Sequence, residues 1–178
     1  KLVTDAANAY FGVSVAITSD GNTVAVGAHR DGSVLAGAGA VHIYTRSGET
    51  WTEQQKIRSD DLEASDFFGF YVGLSEENTL IVGARQEGGK GAVYIFTRSG
   101  DTWTQQQKLV ADDAQAGDGL GQSVSISADG NTAVASANGA NSFEGAVYVF
   151  TRSGSTWTQQ QKLVEPGDFQ QLGWTVCI

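Results

Sequence analysis

The stretch Thr45-Arg46-Ser47-Gly48-Glu49-Thr50-Trp51-Thr52-Glu53-Gln54-Gln55-Lys56-Ile57 decides the fold, because it returns twice. It recurs as Thr97-Arg98-Ser99-Gly100-Asp101-Thr102-Trp103-Thr104-Gln105-Gln106-Gln107-Lys108-Leu109 and as Thr151-Arg152-Ser153-Gly154-Ser155-Thr156-Trp157-Thr158-Gln159-Gln160-Gln161-Lys162-Leu163. Successive copies are 52 and 54 residues apart. Each reads as the end of one strand, a turn with glycine at its left-handed position, and a second strand at Thr50–Ile57, Thr102–Leu109 or Thr156–Leu163. The preceding strand covers 40–45, 92–97 and 146–151.

Two more strands lie upstream in every repeat. One covers Thr23–Ala28, Thr79–Ala84 and Thr132–Ala137; the other covers 13–17, 70–74 and 123–126, with 174–178 as a fourth equivalent. These runs are β-branched and aromatic, and several alternate in period two: Val24 and Val26 share one face, Ala25 and Gly27 the other. Asp20-Gly21-Asn22 and Asp129-Gly130-Asn131 are hairpin signals, since glycine tolerates the positive φ of such turns. A glycine after an apolar residue opens each unit: Phe11-Gly12, Phe68-Gly69, Leu120-Gly121 and Leu172-Gly173. Small residues inside the second and third strands let neighbouring sheets approach closely. No segment has a helical period with caps. Four-stranded units repeating at about 50 residues are the signature of β-propeller blades. The sequence therefore predicts an all-β chain, a β-propeller segment of three four-stranded antiparallel blades at 11–57, 68–109 and 120–163, with partial blades at 1–3 and 172–178, all within one propeller domain.

Composition narrows the function. Of 178 residues, 20 are acidic and 11 basic, a formal charge of −9, so a basic nucleic-acid groove is not expected. No apolar run approaches the ~18 residues of a membrane helix, and the start carries no apolar signal region, so membrane insertion is not expected. The single cysteine, Cys177, excludes a disulfide framework and a cysteine-rich zinc site. There is no Gly-x-Ser-x-Gly, P-loop or dinucleotide fingerprint. His42 stands where Tyr94 and Tyr148 stand in the other repeats and reads as a packing substitute.

Phe11-Gly12 followed by Val13-Ser14-Val15-Ala16-Ile17, then Val24-Ala25-Val26-Gly27-Ala28, then Gly39-Ala40-Val41, resembles the FG-GAP repeat. That repeat builds the propeller of integrin α subunits and of many bacterial surface proteins, and the Thr-Arg-Ser-Gly-x-Thr-Trp-Thr tail is similar to the bacterial branch. The resemblance implies a larger propeller of six to eight blades outside the cell or at its surface. The family's Gly-Ala-Pro is not kept: His29, Arg85 and Asn138 stand at the proline position. The family's calcium loops lie between the first and second strands. Here those turns hold only Asp20-Gly21-Asn22, Glu76-Glu77-Asn78 and Asp129-Gly130-Asn131, too short for that cage.

In an antiparallel blade, the one–two and three–four hairpins share one face, the two–three and four–one loops the other. The second set is longer and unequal, and recognition favours variable loops on a rigid scaffold. Ligand-face candidates are His29, Arg30 and Asp31, then Arg85, Glu87 and Lys90, then Asn138, Asn141 and Glu144. The four–one loops add Asp60, Asp61, Asp66, Asp112, Asp113 and Asp118, a carboxylate set of the kind that can hold Ca²⁺ with its six to eight oxygens. Solvated turn aspartates are the alternative. Trp51, Trp103 and Trp157 recur at one blade position and read as packing, as do Phe11, Phe68, Tyr44, Phe96 and Phe150. The glutamine runs read as solvent-facing residues that protect a rim edge. The expectation is an extracellular binding or adhesion module that contacts protein or glycan through its acidic loops, without enzymatic activity. The alternatives are a purely structural scaffold within a surface assembly and a glycan-active enzyme. Three blades are fewer than the usual four to eight, so remaining blades or another subunit are expected at both ends, with a ring of several copies as the alternative.

Overall fold

A computed structural model describes residues 2, 9–165 and 172–178. Twelve strands form three separate four-stranded sheets. The first holds β1 (Val15–Ile17), β2 (Thr23–Ala28), β3 (Ala40–Ser47) and β4 (Thr50–Ile57). The second holds β5 (Phe68–Leu74), β6 (Thr79–Ala84), β7 (Ala92–Ser99) and β8 (Thr102–Leu109). The third holds β9 (Leu120–Ile126), β10 (Thr132–Ala137), β11 (Ala146–Ser153) and β12 (Thr156–Leu163). In each, spatial order follows chain order and every pair is antiparallel, the pattern of a propeller blade.

Alternation drives the stacking. In the second sheet, Leu80, Val82, Tyr94 and Phe96 pack with Ala25, Val41, Ile43 and Ile57 of the first. The intervening residues Ile81, Val93, Ile95 and Leu109 pack with Leu120, Val124, Tyr148 and Phe150 of the third. The middle sheet is therefore apolar on both faces, and all six residues of β6 are buried.

Glycine sets how close the sheets come. A Cβ on Gly27 would lie 2.2 Å from the Gly69 carbonyl oxygen, and one on Gly83 would lie 2.2 Å from that of Gly121. The glycine following Phe68 or Leu120 thus meets the small residue of the preceding blade's second strand, backbone against backbone. Blade-to-blade backbone bonds run beside this contact: Phe68 N–H to Ala38 at 2.9 Å and Leu120 N–H to Lys90 at 3.0 Å.

The rim glutamines do more than protect an edge, which corrects the sequence expectation. The Gln55 amide donates to the Trp103 carbonyl at 2.9 Å and accepts the Trp103 N–H at 2.8 Å. Gln107 does the same to Trp157, at 2.8 Å both ways. Gln105 and Gln159 accept the backbone N–H of Asp60 and Asp112, each at 3.1 Å. A register shift repeated in all three outer strand pairs skips Gln54, Gln106 and Gln160. Trp103 and Trp157 are buried as expected, while Trp51 and Phe11, on the open side of the first sheet, are half-buried.

Two further expectations change. β1 begins at Val15 instead of 13, and Val13, Val15 and Ile17 are exposed, because no described sheet covers that side. Residues 174–178 form no strand and pair with no described second strand; they lie along β9 instead. There the N–H groups of Val176 and Ile178 donate to the hydroxyls of Ser123 and Ser125, both at 3.1 Å. Of the expected partial strand 1–3, residues 1 and 3 lie outside the described residues, as does the loop 4–8. Among the described residues, helical geometry is confined to a 3₁₀ turn at Glu87–Gly89 and one turn at Ala140–Phe143.

Candidate functional site

The two ends of the sheets differ in what their polar groups are doing. At the hairpin end, Asp20 accepts the Asn22 N–H at 2.9 Å and the Thr18 hydroxyl at 2.6 Å, while Arg46 reaches Asn22 at 3.2 Å. Asp129, Asn131 and Arg152 repeat the arrangement in the third blade. These carboxylates are spent on their own turns.

At the loop end a second device repeats. Tyr94 donates to Asp61 at 2.8 Å, and Lys108 pairs with Asp61 at 2.6 Å and with Glu87 at 2.5 Å. One blade on, Tyr148 donates to Asp113 at 3.0 Å, and Lys162 pairs with Asp113 at 2.7 Å and donates to Asn141 at 2.9 Å. Burial works to raise the Asp61 carboxyl, but Lys108 and Tyr94 outweigh it and hold it below the usual carboxylate range. Lys162 holds Asp113 down in the same way, helped by Tyr148. The Tyr148 phenol is pushed up to about 12 by burial and by the Asp113 carboxylate. Asp66 is used differently: it accepts the Glu63 N–H at 2.8 Å, as Asp118 accepts that of Gln115. Burial and the neighbouring carboxylates Glu87, Glu63 and Asp61 raise Asp66. Asp60 and Asp112 are exposed and engage the adjoining blade through their backbone.

The six aspartates therefore do not converge. Among the described residues, no group of three or more His, Cys, Asp or Glu side chains is placed to hold a metal. Asp61 and Asp113 already carry an ammonium and a phenol on their oxygens, so this donor set does not fit Ca²⁺.

The first blade builds a variant. His42 replaces the tyrosine, and its Nδ1 lies 3.0 Å from Glu53. Asp31, fully buried in its side chain, pairs with Lys56 at 2.5 Å and Arg58 at 3.4 Å. Burial opposes its ionisation, yet Lys56 and Ser33 hold the carboxyl far below its ordinary value. Next to this, His29 is buried among Tyr10, Phe67 and Phe70, with ring centroids 5.1–5.5 Å away. Arg30 stacks on Tyr10 and Phe67, and Arg85 on Phe70. Burial first, then the charges of Arg30 and Arg85, lower the His29 pKa.

The third blade carries a pocket on this face. A cavity of about 400 Å³ is lined by Asp113, Gln115, Asp118, Asn141, Phe143 and Lys162, among others. Phe143 is 74% exposed at its edge. Asn141, Ser142 and Phe143 have φ of 53°, 57° and 73°. In the second blade the residues matching Ser142 and Phe143 are Gly88 and Gly89, with φ of 53° and 71°. The same backbone is thus reached freely by glycine in one blade and at a cost of roughly 1–2 kcal/mol per residue by Ser and Phe in the next. Glu144 supplies a carbonyl to the Leu172 N–H at 2.9 Å, and Lys90 and Asn138 flank the loops without a side-chain ion pair among the described residues.

The FG-GAP repeat profile matches residues 5–44, 51–96 and 103–150, most of the chain. The chain belongs to the FG-GAP repeat family. Its FG-GAP blades share their architecture with solved structures of low sequence identity. A candidate 6-phosphogluconolactonase from Bacteroides uniformis matches at TM-score 0.63 and 14% identity, over 85% of this chain and 40% of that one. A second, from Bacteroides fragilis, matches at 0.62 and 15%, over 90% and 40%. Sqt1 of Saccharomyces cerevisiae matches at 0.61 and 9%, over 89% and 36%. At such identities these likenesses show the fold alone. The chain spans about two-fifths of the length of those structures or less. No curated protein matches it.

Sequence reading placed the loop-face residues of this FG-GAP segment on one end but missed Phe143, Gln115 and Lys162. The available signal was the pairing of Ser142-Phe143 with Gly88-Gly89 in the aligned loops. Seeing it required knowing that this loop turns left-handed.

Proposed function

We propose that this FG-GAP segment is an extracellular or cell-surface binding module that engages a protein or glycan through its two–three and four–one loops, without catalysing a reaction. The observation that carries the reading is the contrast between the ends. The hairpin end consists of short self-satisfied turns, whereas the loop end combines unequal loops, a polar pocket of about 400 Å³ and a largely exposed phenylalanine. The loop carboxylates support a rigid scaffold, since Lys108 and Lys162 tie the four–one and two–three loops together.

The test is face-specific blocking. In a Cys177→Ser background, Lys90→Cys and Glu49→Cys place single thiols on the loop and hairpin ends, where both native residues are exposed. Each is coupled to polyethylene glycol, and binding to arrays of glycans and matrix proteins is measured. Polymer at residue 90 should abolish binding that polymer at residue 49 leaves intact. The reverse pattern, or no array ligand at all, defeats the reading.

A scaffold role has its own support. Val13 and Val15 on the first sheet and Leu163 and Val164 at the end of the third are exposed apolar side chains at the two ends of the row of sheets. Further blades or another subunit over these faces are compatible with a ligand on the loop end.

A further inference from the structure

We propose that the pocket at the loop end of the third sheet is a neutral-saccharide site, with Phe143 as its stacking platform. The inference rests on the loop-face reading and names its ligand class. Three observations converge. First, Phe143 combines two unfavourable features, a left-handed φ of 73° and 74% exposure, where the equivalent loop has Gly89 at 71°. A phenylalanine there is strained and left largely in water, and strain of this kind concentrates at binding sites. Second, the ring borders a cavity of about 400 Å³, at the lower end of the range of small-molecule sites.

Third, the polar lining is rich in acceptors. The Asp113 carboxylate is taken by Tyr148 and Lys162, and Lys162 is also shared with Asn141. Asp118 receives only the Gln115 N–H and has no basic partner among the described residues. Gln115 donates its amide to the Asp113 carbonyl at 3.1 Å, which leaves its side-chain oxygen to accept. Spare carboxylate and amide oxygens take hydroxyl donors, and the uncompensated Asp118 charge repels anions. A pyranose offers the complement: hydroxyls on its edge and an apolar C–H face for the phenyl ring.

The experiment is saturation-transfer NMR on the full chain with methyl glucoside, methyl galactoside and N-acetylglucosamine, with glucuronate as the charged comparator. Transfer to at least one neutral sugar is expected, with at least tenfold weaker binding of glucuronate. Phe143→Gly should abolish transfer without lowering the thermal midpoint, because Gly89 adopts that backbone in the sister loop, and Phe143→Trp should keep it. Absence of transfer from all neutral sugars, retention in Phe143→Gly, or equal binding of glucuronate overturns the proposal. Array binding blocked at residue 90 together with no sugar transfer overturns the saccharide site and leaves the loop-face reading standing. Transfer lost in Phe143→Gly, with array binding blocked by polymer at residue 49 and not at residue 90, supports the site and shows that the array ligands engage the other end.

Discussion

Replacing Gln107 by Ala removes both bonds to the Trp157 backbone, one donated and one accepted, each 2.8 Å long. Trp157 is only 2% exposed, so its N–H and C=O lose their partner at a place where water enters poorly. An unsatisfied buried polar group costs about 1–3 kcal/mol, and the rim position favours the lower half of that range, so the pair amounts to roughly 2–4 kcal/mol. With a urea m-value of about 2 kcal/mol/M, the unfolding midpoint should fall by ~1–2 M. The chain supplies its own control. Gln161 occupies the equivalent position on β12, is exposed, and has no side-chain partner among the described residues, so Gln161→Ala should stay within about 0.5 kcal/mol of the parent. Urea titration followed by tryptophan fluorescence reads both variants. Equal losses for the two substitutions, or no loss for Gln107→Ala, would refute the inter-blade fastening.

Gly83→Ala drives a Cβ to 2.2 Å from the Gly121 carbonyl oxygen, and a loss of about 3 kcal/mol is expected by calorimetry; an unchanged thermal midpoint would contradict the close approach. Asp61 and Asp113 have folded pKa values below the ordinary 3.8, so the stability they contribute is full above that pH and is lost as pH falls through the folded values. Lys108→Met should therefore move acid unfolding to higher pH, and an unmoved transition would show that the Lys108–Asp61 pair carries no net stability. His29 is shifted below 6.5, so the unfolded chain takes up its proton first: stability is full above pH 6.5 and declines as pH drops from there toward the folded value. His29→Phe should flatten that part of the stability–pH curve, while a retained slope would place the titration elsewhere.

Most of the architecture was legible because it rests on periodicity. The alternation of Leu80, Val82, Tyr94 and Phe96 with Ile81, Val93 and Ile95 already implies a sheet buried on both faces. The recurrence of the Thr-Arg-Ser-Gly segment fixes how many such sheets there are. The joints were not legible. A glutamine on an outer strand looks like solvated surface until the neighbouring blade brings a tryptophan backbone within 3 Å of it. The acidic loops misled for a related reason. Asp61 and Asp113 are close in sequence to other aspartates, but their partners Lys108 and Lys162 come from strands about 50 residues away. Phe143 escaped notice because its unusual property is a dihedral angle, and only its alignment with Gly89 carries a trace of that in the letters.

The proposed recognition face is the loop end of this FG-GAP propeller segment, and hydrogen–deuterium exchange of the chain, with and without the strongest binder from the arrays, maps it. Protection should concentrate in the two–three loops 29–39, 85–91 and 138–145 and the four–one loops 58–67 and 110–119, with the hairpins at 18–22, 75–78 and 127–131 unchanged. Protection of those hairpins with the loops unaffected would contradict it.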